Sequence, residues 1–330
     1  MNRRQRAEEY TPPPDEIISF RNVNKIYKSG HSTNYAMDDI SFSITKGKTL
    51  SIVGESGSGK TTFGLASLGL LEPTSGHIYF QGKNISKLKK SQQRDFRSKT
   101  HMIFQDPYSS LNPYDSIFTT VSAPLESFQK GLSRSERRGR AAEMLDKVGL
   151  SPGIEFLDIY PKSLSGGQRQ RVAIARSLIN KPEFVVADEP TSMLDVSITS
   201  TVINLMKSLK NELNFTMLYI SHEIATSRYI ADDMAVMNLG RIVEYGNPDE
   251  ITKSPKHPYT DLLIRSYPRA GVRILPGEER HTDYNVYNGG IKGCTFAHTC
   301  PFKTSECETT KPELRKISHE HWVACFHPIN

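Results

Sequence analysis

No stretch of this sequence approaches the roughly 18 uninterrupted apolar residues that a membrane helix requires, so a spanning segment is not expected. There is no internal repeat and no heptad pattern, which excludes solenoids and long coiled coils. An apolar h-region is missing after the basic start Met1-Asn2-Arg3-Arg4, where Glu8, Glu9 and Pro12-Pro13-Pro14 follow instead, so a secretory signal is not expected and the cytosol is. Charge of one sign is also scarce. Lys and Arg number 42 against 36 Asp and Glu, a surplus of +6 over 330 residues, too diffuse to argue for nucleic acid. Cysteine is absent until Cys294, and Cys294, Cys300, Cys307 and Cys325 then follow within a short span. That placement calls for a local explanation.

What is present suffices for a packed α/β protein: 37% apolar, 24% charged and 9% aromatic residues, at a length that fits one large or two smaller domains. Residues 1–15 are polar and proline-rich and read as a mobile tail. Ile17–Val23 and Ile40–Ile44 alternate as antiparallel strands should, and Leu50–Val53 is a buried strand running into a glycine cluster. Thr61–Leu71 reads as a helix and Gly76–Phe80 as a strand. Between about 91 and 165 the chain turns polar and helical, with Ala141, Ala142, Leu145 and Val148 at helical spacing within Ser133–Val148, which predicts an inserted helical subdomain. A helix over Gly166–Asn180, a strand Phe184–Ala187, a helix near Ser197–Asn211 and a strand Thr216–Ile220 follow. Apolar strands alternating with helices predict a mostly parallel sheet covered on both faces. From about Pro258 the helical signal fades. The resulting division is a tail at 1–15, an α/β domain at 16–260 and a cysteine-bearing extension at 261–330.

Gly54-Glu55-Ser56-Gly57-Ser58-Gly59-Lys60-Thr61 matches the phosphate-binding loop G-x-x-x-x-G-K-T, followed by Thr62, and lies between a strand and a helix as that loop must. Its glycines let successive N–H groups turn toward phosphate oxygens, Lys60 reaches the β- and γ-phosphates, and the Thr61 hydroxyl serves Mg²⁺. Asp188 and Glu189 close the run Phe184–Ala187, which delivers two carboxylates beside that loop: Asp188 for Mg²⁺ and Glu189 for the attacking water. Leu164-Ser165-Gly166-Gly167-Gln168 opens a second glycine-lined helix start. One nucleotide needs only one such loop, so a second anion-binding helix terminus suggests a nucleotide held on another subunit; taken alone, the stretch reads first as an ordinary Ser-capped helix.

The ordered set of Gly54–Thr61, Gln105, Leu164–Gln168, Phe184–Glu189, Ser192-Met193-Leu194-Asp195 and His222 resembles the nucleotide-binding domain of ATP-binding-cassette (ABC) transporters over roughly residues 16 to 260. That resemblance implies an α/β P-loop NTPase fold with a mostly parallel core, an antiparallel β subdomain, a helical subdomain and a small C-terminal extension. It implies that Gln105 senses Mg²⁺ or the lytic water and meets the membrane partner, that His222 touches the γ-phosphate, and that Asp195 communicates across a dimer interface. Ser165, Gly167 and Gln168 would grip the γ-phosphate on the opposing subunit, and Tyr27 would stack on adenine. Met193 and Glu223 depart from the usual pattern without removing a group the chemistry needs.

A narrower resemblance, carried by Gln105–Pro113, Asp195-Val196-Ser197, His257-Pro258-Tyr259-Thr260 and the end beginning Gly293-Cys294, is to the ATPase subunits of oligopeptide and dipeptide importers. It implies a peripheral ATPase on the cytoplasmic face of the membrane. The partners it implies are a second ATPase subunit, a paralogue in the usual family arrangement, two permease subunits and, indirectly, an extracellular binding protein. No nucleic acid is expected. Peptide is the default cargo, with nickel complexes and oligosaccharides as related cargoes, and a soluble cassette switch acting on nucleic acid or ribosomes as the rival class. In a reducing cytosol four clustered thiols suggest metal ligands before disulfides. Their spacing lacks paired C-x-x-C knuckles, leaving a [4Fe–4S] cluster, zinc or plain packing thiols, of which the resemblance favours the iron–sulfur cluster on Cys294, Cys300, Cys307 and Cys325.

Overall fold

A computed structural model describes residues 15–30, 32–266 and 292–329. The expected tail therefore lies almost wholly outside the described residues.

The strands are β1 (Glu16–Ser29), β2 (Ser32–Thr45), β3 (Thr49–Val53), β4 (Ser75–Phe80), β5 (Lys83–Asn84), β6 (Thr100–Ile103), β7 (Phe184–Asp188), β8 (Thr216–Ser221), β9 (Asp233–Asn238), β10 (Arg241–Gly246), β11 (Arg315–Ser318) and β12 (His321–Val323). They form two sheets. The smaller is antiparallel, in the order β2-β1-β4-β5, and contains the two early strands read from the sequence. The larger has eight strands in the order β11-β12-β10-β9-β3-β8-β7-β6. From β9 to β6 every pairing is parallel, and from β9 through β10 and β12 to β11 every pairing is antiparallel.

The parallel part owes its burial to residues that are apolar on both faces. Phe184 and Val186 of β7 pack with Ile52, Leu218, Ile220 and the small sheet on one side, while Val185 and Ala187 pack with Met217, Tyr219 and the helical layer on the other. On the first side the helix Lys60–Ser67 inserts Phe63, fully buried and stacked on Phe20 at 4.1 Å between centroids. On the second lie the helices Ile117–Phe128, Arg134–Lys147, Gly166–Leu178 and Val196–Leu213.

Local signals account for most boundaries. Ser133 caps Arg134–Lys147 through a capping box with Glu136, so the helix begins where the Ser-x-x-Glu spacing places it. The helix after the phosphate-binding loop stops at Ser67, short of the expected Leu71, because Gly69 adopts a left-handed φ of 61° and the chain turns there. Three further differences matter for function. β6 lies inside the stretch read as helical and forms the far edge of the large sheet. The helix Pro258–Ser266 lies where helical signal fades in the sequence. The cysteine-bearing extension is not a separate appendage: β11 and β12 continue the large sheet beyond β10.

Candidate functional site

The parallel strands β3, β7 and β8 end together, and their C-terminal ends carry the phosphate-binding loop, Asp188-Glu189 and His222 respectively. This is the crevice where open α/β sheets bind ligands.

The loop 54–61 is pressed onto its neighbours. A Cβ at Gly54 would meet the Met237 carbonyl oxygen at 2.2 Å, and one at Gly59 would meet the Ala36 carbonyl oxygen at 2.2 Å. Gly59 also sits at φ 106° as the N-terminal cap of the next helix, a conformation only glycine adopts cheaply. The loop is therefore backed by β9 and β2 and opens on its other side. Lys60 is buried, and its ammonium donates to the carbonyls of Gly54 and Glu55, at 2.8 Å each. Burial pulls its pKa down, opposed by the charges of Glu189, Asp188 and Glu55. Ser58 is buried with no hydrogen-bond partner for its hydroxyl. An unsatisfied hydroxyl and a cation folded back onto loop carbonyls, beneath a glycine turn, fit a polyphosphate. Thr61 Oγ1 donates to Asp188 Oδ1 at 3.2 Å. Burial raises the Asp188 pKa, with the Thr61 hydrogen bond acting the other way, and a hydroxyl beside a carboxylate is the hard-oxygen pair Mg²⁺ takes.

Glu189 holds a left-handed φ of 44°, fixed by its N–H donating to the Ile220 carbonyl at 2.9 Å. Its carboxylate lies between two expected partners: Gln105 Nε2 donates to Oε2 at 3.1 Å, and His222 Nδ1 lies 3.2 Å from Oε1. Residues 105, 189 and 222 come from three different crossings of the sheet, so the structure brings together what spacing alone could not. Thr62, which follows Thr61 on the helix, is half-buried. Glu55 and Ser56 belong to the loop itself.

Other expected residues fall elsewhere on this single chain. Ser165 caps the helix Gly166–Leu178, and its hydroxyl accepts the Gln168 N–H while Gln168 Oε1 accepts the Ser165 N–H. The two polar side chains of the glycine-lined lip thus cap each other. Gly167 packs so closely that a Cβ would meet Ile198 Cγ2 at 2.9 Å, while Gly166 lies near the Tyr108 hydroxyl. Asp195 is exposed at the start of Val196–Leu213 and makes no capping hydrogen bond. Tyr27 is 44% exposed near the end of β1, with the Lys25 ammonium 5.2 Å from its ring centre.

The iron–sulfur expectation is corrected. Cys294, Cys300, Cys307 and Cys325 are free and line one cavity of about 10 Å³, at the lower limit for a single water. Among the described residues no three His, Cys, Asp or Glu side chains are grouped so as to hold a metal ion. The physical reason lies in the lining, where Ala297, Phe302, Pro312 and Phe326 share the cavity with the thiols. Burial pushes the pKa of Cys294 and Cys300 up, and that of Cys325 to about 11. Cys294 and Cys307 belong to a small apolar cluster with Phe296, Tyr259 and Val243, and Cys300 packs against it.

One residue of the site is invisible to motif reading. The Glu55 N–H donates to the hydroxyl of Tyr259 at 3.1 Å, across 204 positions of sequence. His257-Pro258-Tyr259-Thr260 stands out by resemblance, but nothing local in it points to the phosphate-binding loop.

Among the described residues no helix is long and apolar enough to cross a membrane. Residues 37–192 match the family model described as ABC transporter, and residues 243–307 match that of the oligopeptide/dipeptide transporter C-terminal region. The chain is 42% identical to the oligopeptide transport ATP-binding protein AppF of Bacillus subtilis, over 94% of this chain and 97% of that one. It is 41% identical to the dipeptide transport ATP-binding protein DppF of Haemophilus influenzae, over 88% and 89%. A dimeric ATP-binding cassette solved in a post-hydrolysis state with ADP and Pi superposes with a TM-score of 0.63 at 32% identity, covering 70% of this chain and 98% of that one. With its phosphate-binding loop, its Asp188-Glu189 pair and these likenesses over nearly its whole length, the chain belongs to the family of ABC transporter ATP-binding subunits of the oligopeptide/dipeptide type.

Proposed function

We propose that this ABC ATPase powers a membrane importer of peptides, seated on the cytoplasmic face beneath two permease subunits and paired with a second, paralogous ATPase subunit. The names of the relatives and the match of residues 243–307 support the peptide class. The single observation that carries the hydrolytic reading is the Glu189 carboxylate, held between Gln105 and His222 one residue beyond the Thr61–Asp188 pair.

In this reading the phosphates of ATP lie along the N–H groups of residues 57–61, and the Lys60 ammonium exchanges the carbonyls of Gly54 and Glu55 for phosphate oxygens. Mg²⁺ held by Thr61, Asp188 and Gln105 would neutralise charge developing between the β- and γ-phosphates. Glu189 accepts the proton of the attacking water. His222 keeps that carboxylate aimed and meets the γ-phosphate, and Tyr27 stacks on the adenine ring. The neighbouring subunit's glycine-lined lip, the counterpart of Ser165, Gly166, Gly167 and Gln168 here, covers the same γ-phosphate, while Asp195 lines the interface. Contacts made only in the closed pair supply the differential affinity by which ATP closes the dimer, and cleavage removes it.

The test is Glu189→Gln in the purified chain with its partner subunit. Loss of a positioned base costs about 10²- to 10⁴-fold in turnover. Phosphate release should fall by that factor while ATP remains bound and closed dimers accumulate on size exclusion. Undiminished turnover would remove Glu189 from the role of base.

A further inference from the structure

We infer that Tyr259 is a positioning residue for the phosphate-binding loop, and that through it the C-terminal extension sets how tightly this site holds ATP. The inference rests on ATP occupying the loop 54–61.

The peptide plane that joins Gly54 to Glu55 is held at both ends. Its carbonyl, on Gly54, accepts the Lys60 ammonium at 2.8 Å, and its N–H, on Glu55, donates to the Tyr259 hydroxyl at 3.1 Å. In a trans peptide these two groups point in opposite directions, so fixing one fixes the other. Tyr259 therefore sets the rotation of the plane from which Lys60 hangs. Without that anchor the plane is held only through the long side chain of Lys60, so the first bend of the loop and the resting place of the lysine are less narrowly defined. Phosphate binding then carries the entropy of ordering them.

Tyr259 is in turn placed by the extension. Its ring is 1% exposed and packs against Phe296, with centroids 5.6 Å apart. Its N–H donates to His257 Nδ1 at 3.0 Å, the His257 N–H donates to Glu244 Oε2 at 2.9 Å, and Glu244 Oε1 meets His321 Nε2 at 2.6 Å. Glu244 and His321 lie diagonally on the paired strands β10 and β12, where Glu244 is opposite Val323 and His321 is opposite Gly246. A second tie runs from the extension to the back of the loop: Asn238 Nδ2 donates to Thr295 Oγ1 at 3.1 Å, next to the Met237 carbonyl on which Gly54 rests. The extension thus reaches the loop through a continuous set of buried polar contacts and one aromatic pair.

The test uses the full chain with Tyr259→Phe, which removes one hydroxyl and keeps the ring, and Phe296→Leu, which loosens the ring and keeps the hydroxyl. Equilibrium binding of Mg-ATP and steady-state phosphate release are both read. Loss of one hydrogen bond predicts that Y259F raises the Kd and KM for ATP by about three- to tenfold while kcat falls less than twofold. F296L should shift the same constants in the same direction, and the double variant should show less than the product of the two effects. A Y259F chain with wild-type Kd and KM and only a lowered Tm would overturn the inference, since a purely structural tyrosine behaves that way. Fully multiplicative effects would overturn the path from the extension. A wild-type chain that binds no ATP would overturn the nucleotide site itself, an outcome separate from tight wild-type binding that Y259F leaves unaltered.

Discussion

The groups proposed here to perform chemistry are legible where each is dictated by its immediate neighbours in sequence. The loop 54–61 demands glycines and a lysine at fixed spacing, and a carboxylate pair at the end of an apolar strand lands beside it because β3 and β7 flank β8 in one parallel sheet. Tyr259 was not legible, because its partner is 204 positions away and the hydrogen bond uses backbone rather than a patterned side chain. The thiols misled for the opposite reason: a spacing pattern says nothing of the Ala, Phe and Pro side chains that share their small cavity. His101 is a residue whose environment makes a measurable difference. It stands on β6 with Nε2 buried and without a hydrogen-bond partner, and burial, reinforced by the Arg176 charge, lowers its pKa to about 4. The unfolded chain takes up this proton below about pH 6.5 and the folded chain only near pH 4. Between those values the unfolded state binds more protons, so this group's contribution to stability is intact above about pH 6.5 and is lost as pH falls toward 4, at up to about 1.4 kcal/mol per pH unit. Melting curves from pH 7 to 4.5 should show a steeper loss for the native chain than for His101→Gln. Parallel curves would show that the buried imidazole does not titrate in this window.

At the scale of elements, long segments with a strong period were readable and short ones were not. The helix over 134–147 announces itself by its capping box and apolar spacing, whereas β6, β11 and β12 are three or four residues long and carry too few side chains to establish a period. Their existence depends on a neighbouring strand offering an edge. The extension is held to that edge by more than strand pairing. Lys311 donates to both carboxylate oxygens of Asp38 on β2, at 2.8 and 2.6 Å, and the Asp38 side chain is only 7% exposed. Arg241 stands 4.0 Å from the same carboxylate, too far to replace the lysine without movement. Lys311→Met would leave a buried carboxylate poorly compensated. Because Lys311 is about a third exposed, solvent screening holds the cost to about 1–2 kcal/mol, below that of a fully buried pair. Thermal melting should shift down by a few degrees, with the shift shrinking when Asp38→Asn is added. A loss no smaller in the double variant would show that the lysine acts through something other than Asp38.

For the whole molecule, the consequence of one continuous sheet is that the extension and the nucleotide site stand or fall together. Residues 292–329 supply the strands that cover the edge of β10, the imidazole of His321 that meets the fully buried Glu244, Phe296 against Tyr259, and Lys311 on Asp38. A chain ended after Ser266 would expose β10 as an unpaired edge, leave Glu244 with only the N–H groups of Lys256 and His257, and uncover Val236, Val243 and Tyr259. Open strand edges beside exposed apolar surface template association between chains. The shortened protein should therefore elute as large aggregates on size exclusion, and any monomeric fraction should bind Mg-ATP at least as weakly as Y259F, since the tyrosine would keep its hydroxyl but lose the ring packing that aims it. If it elutes instead as a single species with the ATP affinity of the full chain, then the sheet ends functionally at β10, and the contacts running from His321 to Glu55 carry neither stability nor nucleotide affinity.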